Sequence, residues 1–200
     1  MKKTLLLCVF MIFVLTACTF KHTIPIRYTP IIQMEKLATK SAPETVQLGD
    51  FTDERKDPSL FSKHLNPISV HKIKGEIAGD LLQTVRNAFV DGFLKSGYEV
   101  PMGAAAGATP LFVVTGRIKT YNVSIKTAWS KVAMTGFVDV ELTLKRDDGQ
   151  ELILMASGTN EAVSKGSISY DSAGSVLDLA TQECVKNFFA NPKFLEFLKK

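Results

Sequence analysis

The sequence predicts an α+β domain of two layers, in which two helices pack on one face of an antiparallel sheet of about four to five strands. Three observations predict this class. Apolar residues recur every fourth position between Glu76 and Gly97, and residues 132–144 alternate between apolar and polar side chains. The third observation is Asp148-Gly149, a hairpin signal that follows the alternating strand. With 200 residues, 46% of them hydrophobic, the chain is long enough for one domain with a substantial core.

The first half of the domain is predicted to hold one strand and one helix. Residues 46–52 form the strand, which ends at the charged run 53–57, and a long loop continues to Lys74. The helix begins near Glu76 and ends at Gly97, a residue type that favours helix C-termini. A short strand at 98–100 then leads into a loop of small residues.

The second half is predicted to start with a meander of three strands. Residues 111–126 form a long strand in which Ile118 is out of phase, which indicates a bulge. A turn at 127–131 leads to a strand at 132–145, and the Asp148-Gly149 hairpin leads to the last strand, at 151–163.

A second amphipathic helix is predicted to close the domain. Ser175 and Asp178 have the spacing of a capping box, and the apolar stripe continues to Asn191. A last turn covers 193–200. Cys184 lies on the apolar stripe, so we expect a buried thiol. We expect no disulfide, because the other two cysteines, Cys8 and Cys18, lie in the predicted signal peptide and at the predicted lipidation site.

The first eighteen residues have the pattern of a secretory signal. Lys2 and Lys3 precede a ten-residue apolar stretch, which is too short to span a bilayer as a permanent helix. The following Leu15-Thr16-Ala17-Cys18 resembles the lipobox of bacterial lipoproteins. That resemblance implies cleavage between Ala17 and Cys18, a diacylglycerol thioether on the Cys18 thiol and an acyl chain on its amine. Several acyl chains together anchor a protein durably in a membrane.

This pattern divides the chain into three parts. Residues 1–17 are the signal peptide, residues 18–44 are the lipidated cysteine and a tether, and residues 45–200 are a single periplasmic domain. The stretch 24–32 is apolar for a tether and could instead lie against the domain or a partner in extended form. By resemblance to enterobacterial sorting rules, an Asp directly after the lipidated cysteine would favour retention in the inner membrane. Thr19 stands at that position instead, so we expect the periplasmic face of the outer membrane.

The wider pattern resembles the YajG-type lipoproteins of proteobacterial envelopes. The residues that carry the resemblance are the lipobox, the strand end Phe51-Thr52-Asp53-Glu54-Arg55, and the helix end Phe93-Leu94-Lys95-Ser96-Gly97-Tyr98-Glu99-Val100. The resemblance implies a binding protein of the cell envelope and brings no activity with it. Similar layouts occur in auxiliary lipoproteins of envelope ABC transporters and in lipoprotein activators of peptidoglycan synthases.

No motif in the sequence predicts catalysis, and we expect no enzyme, cofactor or metal site. His22, His64 and His71 lack the spacing of zinc ligands. The net charge of +4 becomes 22 basic against 20 acidic residues without Lys2 and Lys3, which is no footprint for nucleic acid.

Three residues are candidates for contact with a partner. Asp53 and Arg55 lie in the charged run at the strand exit, where they could hold a ligand or simply pair with each other. Trp129, the single tryptophan, lies in the 127–131 turn, where it could contact a partner or fold back onto the sheet.

The sequence therefore favours a lipid-anchored, non-catalytic accessory subunit that engages an envelope protein through a sheet edge or the Trp129 turn. The alternative is a module that handles a lipid or glycan, which requires a cleft lined by the many phenylalanines between helices and sheet. A hydrolase, the least favoured hypothesis, requires a cluster such as His64, Asp53 and a hydroxyl.

Overall fold

The computed structural model describes residues 22–31, 34, 44–66, 68, 70–101, 109–165 and 169–199. Seven strands and three helices follow one another along these residues. In chain order they are β1 (His22–Pro25), β2 (Val46–Asp53), β3 (Leu60–Leu65), β4 (Val70–Ala78), α1 (Leu81–Lys95), β5 (Phe112–Ala128), β6 (Lys131–Lys145), β7 (Glu151–Ser164), α2 (Tyr170–Phe189) and α3 (Pro192–Lys199). The α+β class predicted from the sequence is confirmed.

The seven strands form one mixed sheet that is organised around β5. The order is β1-β4-β3-β5-β6-β7, and β2 pairs with the first half of β5 while β3 pairs with its second half. The three-strand meander β5-β6-β7 is antiparallel and has the predicted register shift, between Ile118 and Thr120. The pairs β1–β4, β2–β5 and β3–β5 are parallel, so the sheet is larger and less purely antiparallel than expected.

All three helices bury their apolar sides in one core with the inner face of the sheet. Along β6 the even-numbered residues from Val132 to Leu144 are buried, as the alternation predicts. Helix α2 crosses this face closely, since a Cβ atom at Gly136 or Gly158 would meet the backbone of α2. These two glycines therefore set how near the helix comes to the sheet.

Residues 22–31 belong to the folded domain rather than to a free tether, which corrects the expected 18–44 tether and its boundary at 45. β1 pairs with β4 over four residues, and Ile24 and Ile31 are each only 1% exposed. The Thr29 amide donates to Asp178 on α2 at 2.8 Å. On α1, Asp91 accepts from the Tyr28 hydroxyl at 2.6 Å and from the Ile31 amide at 3.0 Å. The segment therefore crosses from the sheet onto both long helices.

The expected long loop up to Lys74 is wrong, because residues 60–65 and 70–78 form the antiparallel strands β3 and β4. Helix α1 accordingly begins later than predicted, at Leu81. Gly79 takes a positive φ of 119° and turns the chain, and the Asp80 carboxylate caps the helix by accepting from the Gln83 amide at 3.0 Å. Ile73 and Ile77 have the spacing of a helix but lie on a strand.

The predicted capping box at Ser175 is also wrong. Helix α2 begins at Tyr170, with Ser169 as its N-cap residue. Ser175 lies inside the helix, where its hydroxyl donates to the Asp171 carbonyl at 3.0 Å one turn earlier. The predicted last turn is the eight-residue helix α3. At residues 98–100, where a strand was expected, the described backbone makes an isolated parallel bridge between Thr45 and Glu99.

Candidate functional site

The predicted anchor, Cys18, and the predicted cleavage site between Ala17 and Cys18 lie outside the described residues. The described chain starts four residues later, at His22, and enters the sheet at once as β1. Among the described residues, no helix is both long enough and apolar enough to cross a bilayer.

Trp129 lies at the turn between β5 and β6, and its side chain is fully exposed. It therefore does not fold back onto the sheet, which was the alternative to a contact role. An indole held in water at a hairpin end leaves a large apolar surface free for an interaction.

Asp53 and Arg55 are neighbours at the exit of β2, and they pair with each other. The Arg55 guanidinium donates from Nε and Nη2 to the two carboxylate oxygens of Asp53, at 2.9 and 2.8 Å. The Arg55 side chain is only 8% exposed, and its Nη1 also donates to the Tyr121 carbonyl at 3.4 Å. The hydrogen bond from Arg55 holds the pKa of the Asp53 carboxyl below its ordinary value of 3.8. Through Tyr121, the pair fastens the end of β2 to β5. Because Asp53 and Arg55 neutralise each other, neither charge needs a ligand.

The cluster that a hydrolase would need is not formed by the residues that were considered for it. His64 hydrogen-bonds to the Thr127 hydroxyl at 2.8 Å, and its strand register places it beside Ile125. Asp53 lies beside Ile118 on the same central strand. Seven residues of strand separate these levels by about 23 Å. Within the described parts of the chain, no three His, Cys, Asp or Glu residues are grouped to hold a metal ion.

The phenylalanines that could have lined a binding cleft fill the core instead. Phe93 is fully buried, and its ring contacts Phe189 at a centroid distance of 4.8 Å and Phe188 at 6.0 Å. The ring cluster also includes Tyr98, Phe112, Phe194 and Phe197. Rings that pack edge to face against one another leave no room for a lipid chain between them.

An open cleft of about 600 Å³ lies between β2 and α1. Arg86 crosses it, donating from Nη2 to the Leu48 carbonyl at 3.0 Å and from Nε to the Gly49 carbonyl at 3.3 Å. The guanidinium therefore already serves to fix α1 against β2. The other lining residues are both polar and apolar: Gln47, Asp50, Phe51, Asp80, Leu82, Gln83 and Pro101.

The outer face of the meander carries a group of ion pairs. Arg117 and Lys119 on β5 contact Glu141 on β6, and Lys119 also donates to Glu54 at 2.5 Å. The hydrogen bond from Lys119 lowers the pKa of Glu54 below its ordinary value. These pairs are solvated and contribute little to stability, but they keep the middle of this face polar.

The strand β7 lies at an edge of the sheet; the sequence predicted contact through a sheet edge but not which strand would form it. Its side chains Ile153 and Met155 are 53% and 48% exposed, on the face opposite the helices. The Asn187 side chain on α2 donates to the Ser157 carbonyl at 2.9 Å, so that carbonyl points away from β6. In an antiparallel strand, every second residue directs its backbone N–H and C=O away from the neighbouring strand. The N–H and C=O groups of Met155 and Ile153 therefore also point away from β6. We call the outward backbone and side chains of Ile153 and Met155 the β7 edge row.

No protein-family model and no curated protein matches this sequence. The fold is similar to that of protein XCC0632 of Xanthomonas campestris, of family DUF330, with a TM-score of 0.52, 10% identity, and coverage of 89% of this chain and 97% of that one. An uncharacterised protein (TM-score 0.48, 13% identity, 84% and 97% coverage) and the lipoprotein GNA1162 of Neisseria meningitidis (0.37, 12%, 74% and 100%) are also similar. At such identities the likeness concerns the fold alone, and scores below 0.5 support no argument. The YajG-type resemblance stays a prediction.

Proposed function

We propose that this chain is a bacterial envelope lipoprotein, anchored at the periplasmic face of the outer membrane through Cys18, that acts without catalysis as a binding subunit of an envelope complex. The lipobox at residues 15–18 supports the anchor, and Thr19 supports the choice of membrane. The folded domain offers the partner site.

The β7 edge row is the observation that carries the binding role. Within the described residues, β7 pairs along its whole length with β6 and has no strand on its other side. Such an edge can add one more strand from another protein, with backbone hydrogen bonds for affinity and side-chain contacts for register. Asn187 already occupies the Ser157 carbonyl, so the usable part of the edge runs from Ser157 back towards Glu151.

The chemistry of the edge row defines the partner. It is an extended polypeptide segment with a free row of N–H and C=O groups and apolar side chains that cover Ile153 and Met155. Covering side chains that are about half exposed also removes apolar surface from water, which favours association. The filled core gives less support to a module that holds a lipid or glycan between the helices and the sheet.

A site-specific photocrosslinker tests this proposal in intact cells. It replaces Met155 in one variant and Leu179 in a matched control, because Leu179 is exposed to a similar degree, 46%, but lies on α2. We expect the Met155 position to yield one discrete protein adduct that the Leu179 position does not yield. Equal adducts at both positions, or none at Met155, would contradict the proposal.

A second variant separates strand addition from contact by side chains alone. Met155→Pro removes an outward N–H and leaves the ladder to β6 intact, which is the position where an edge strand tolerates proline. With a crosslinker at Ile153, we expect Met155→Pro to abolish the adduct while the circular dichroism spectrum is unchanged. Persistence of the adduct would refute pairing through the β7 backbone.

A further inference from the structure

One end of the sheet carries four exposed apolar side chains. Ile68 lies in the β3–β4 hairpin and is 95% exposed, and Trp129 lies fully exposed in the β5–β6 turn. Val70 and Val163 lie at the ends of β4 and β7 that face the same way, and each is 59% exposed. We call these four residues the sheet tip.

The strand register places the four residues side by side. Leu65 pairs with Val70 on one side and with Lys126 on the other, so the β3–β4 hairpin ends level with the end of β5. Val163 pairs with Ala133, beside the start of β6. Since neighbouring strands lie about 4.8 Å apart, the tip from β4 to β7 is about 20 Å wide. An apolar surface of this width on a water-soluble domain indicates an interaction site.

Lysines are concentrated at the same end of the sheet. The exposed lysines that the described elements place at this end are Lys63, Lys72, Lys126, Lys131 and Lys165. The acidic residues that they place there are Glu161 on β7 and Asp171 at the start of α2. At the opposite end of the meander, the β6–β7 turn exposes Asp147 and Asp148 instead. A group of lysines beside apolar side chains suits the anionic headgroups and upper acyl region of a lipid surface.

The predicted anchor lies near the same end. β1 runs parallel to β4, and β4 starts at the sheet tip, so His22 is the end of β1 that faces the tip. Three residues separate Cys18 from His22, and this stretch of chain spans at most about 14 Å. His22 is level with Gly75, five residues or about 17 Å along β4 from Val70, so the Cys18 side chain and its glyceryl group cover the last few Å to the tip. The β6–β7 turn lies beyond the other end of β1, on the side away from the segment that leads to Cys18.

We propose that the sheet tip is a membrane-contact surface, which seats Trp129 and its apolar neighbours in the interface of the bilayer that holds the Cys18 lipids. This rests on the lipid anchor of the proposed function. Tryptophan favours the headgroup level, where its ring is buried and its N–H stays hydrogen-bonded. The anchor supplies a high local concentration of lipid, so a tip that binds weakly on its own is engaged most of the time.

In this orientation the domain stands upright on the membrane. Met155 is nine residues along β7 from Ser164 at the tip. It therefore lies about 30 Å above the bilayer surface, which leaves the β7 edge row free for a protein partner.

Trp129 reports on its own position, because the chain has one tryptophan. The lipidated full chain is reconstituted into vesicles of phosphatidylethanolamine and phosphatidylglycerol that carry a spin label high on the acyl chain. We expect a blue-shifted emission and a loss of about half of its intensity, with less quenching by a label near the chain end, as suits a ring at the interface. Emission like that of an indole in water, with no quenching, would overturn the proposal and leave Trp129 to a protein partner.

A matched reporter controls for proximity to the vesicle. Trp129→Phe combined with Asp147→Trp moves the single indole to the exposed β6–β7 turn, about 45 Å along β6. This variant should float with the vesicles and show no quenching; equal quenching at both positions would overturn the orientation. The outcome also separates the two proposals. Protein that carries no lipid by mass and does not float refutes the anchor, whereas floating protein with an unquenched Trp129 refutes the sheet-tip contact alone.

Discussion

Ile24→Ala tests whether the segment after the predicted anchor is part of the fold. Ile24 is 1% exposed, in a strand that pairs with β4 and lies against α2. The substitution removes three carbon groups, worth about 0.8 kcal/mol each, and leaves a cavity that adds to the loss. We therefore expect the free energy of unfolding to fall by about 2–5 kcal/mol. At about 2–4 °C per kcal/mol, a loss of about 3 kcal/mol lowers Tm by about 6–12 °C.

The assay is equilibrium unfolding in urea, on a chain that starts at Thr19 and carries no lipid. Thr23→Ala is the matched control, because Thr23 is the exposed neighbour on the same strand and should change stability by less than about 0.5 kcal/mol. If Ile24→Ala costs no more than Thr23→Ala, residues 22–31 are a free tether in solution and the corrected domain boundary fails.

Three further predictions concern the domain itself. Gly158→Ala places a Cβ against the backbone of α2 and should cost about 1–3 kcal/mol in thermal unfolding; an unchanged Tm would mean that the helix does not lie so close. The pKa of Asp53 is lowered by Arg55, so this carboxylate stabilises the fold above its ordinary value of 3.8, and the contribution is lost as the pH falls through the lowered pKa. Stability measured against pH should therefore be flatter below about pH 4 for Asp53→Asn than for the parent, and identical curves would refute the pairing. Burial raises the pKa of the Cys184 thiol, so a thiol reagent should label it in urea and leave the native protein unlabelled; rapid native labelling would contradict the packing of α2.

Local patterns predicted the elements that carry a strong period. In β6 apolar and polar residues alternate, and in α1 an apolar residue recurs at every fourth position. Each pattern reflects burial on one side of a regular element, so it can be seen in the sequence alone. The parallel pairs of β5 with β2 and β3 join segments about 60 residues apart, and no local period records such a pairing. The β3–β4 hairpin was missed because residues up to Lys74 were assigned to a loop and Ile77, four residues before Leu81, fits the period of the helix that follows.

For the candidate surfaces, too, the sequence identified single residues, while the structure was needed to show which residues lie next to them. Trp129 was a candidate contact residue because a turn with an aromatic residue is visible in the sequence, and the structure decides against the alternative that it folds back. Its neighbours Ile68 and Val163 join it only through the sheet register. Asp53 and Arg55 stood out as a charged run, but only the structure shows that they satisfy each other.

The central claim is that Cys18 becomes the lipidated first residue of the mature protein. Mass spectrometry of the N-terminal peptide, from protein extracted from bacterial membranes, tests it directly, with Cys18→Ala as the matched control. We predict a peptide that begins at Cys18 and carries the combined mass of a diacylglyceryl group and an acyl chain, absent from the control. A mature chain that begins elsewhere, or an unmodified Cys18 in membrane-bound protein, would contradict the account.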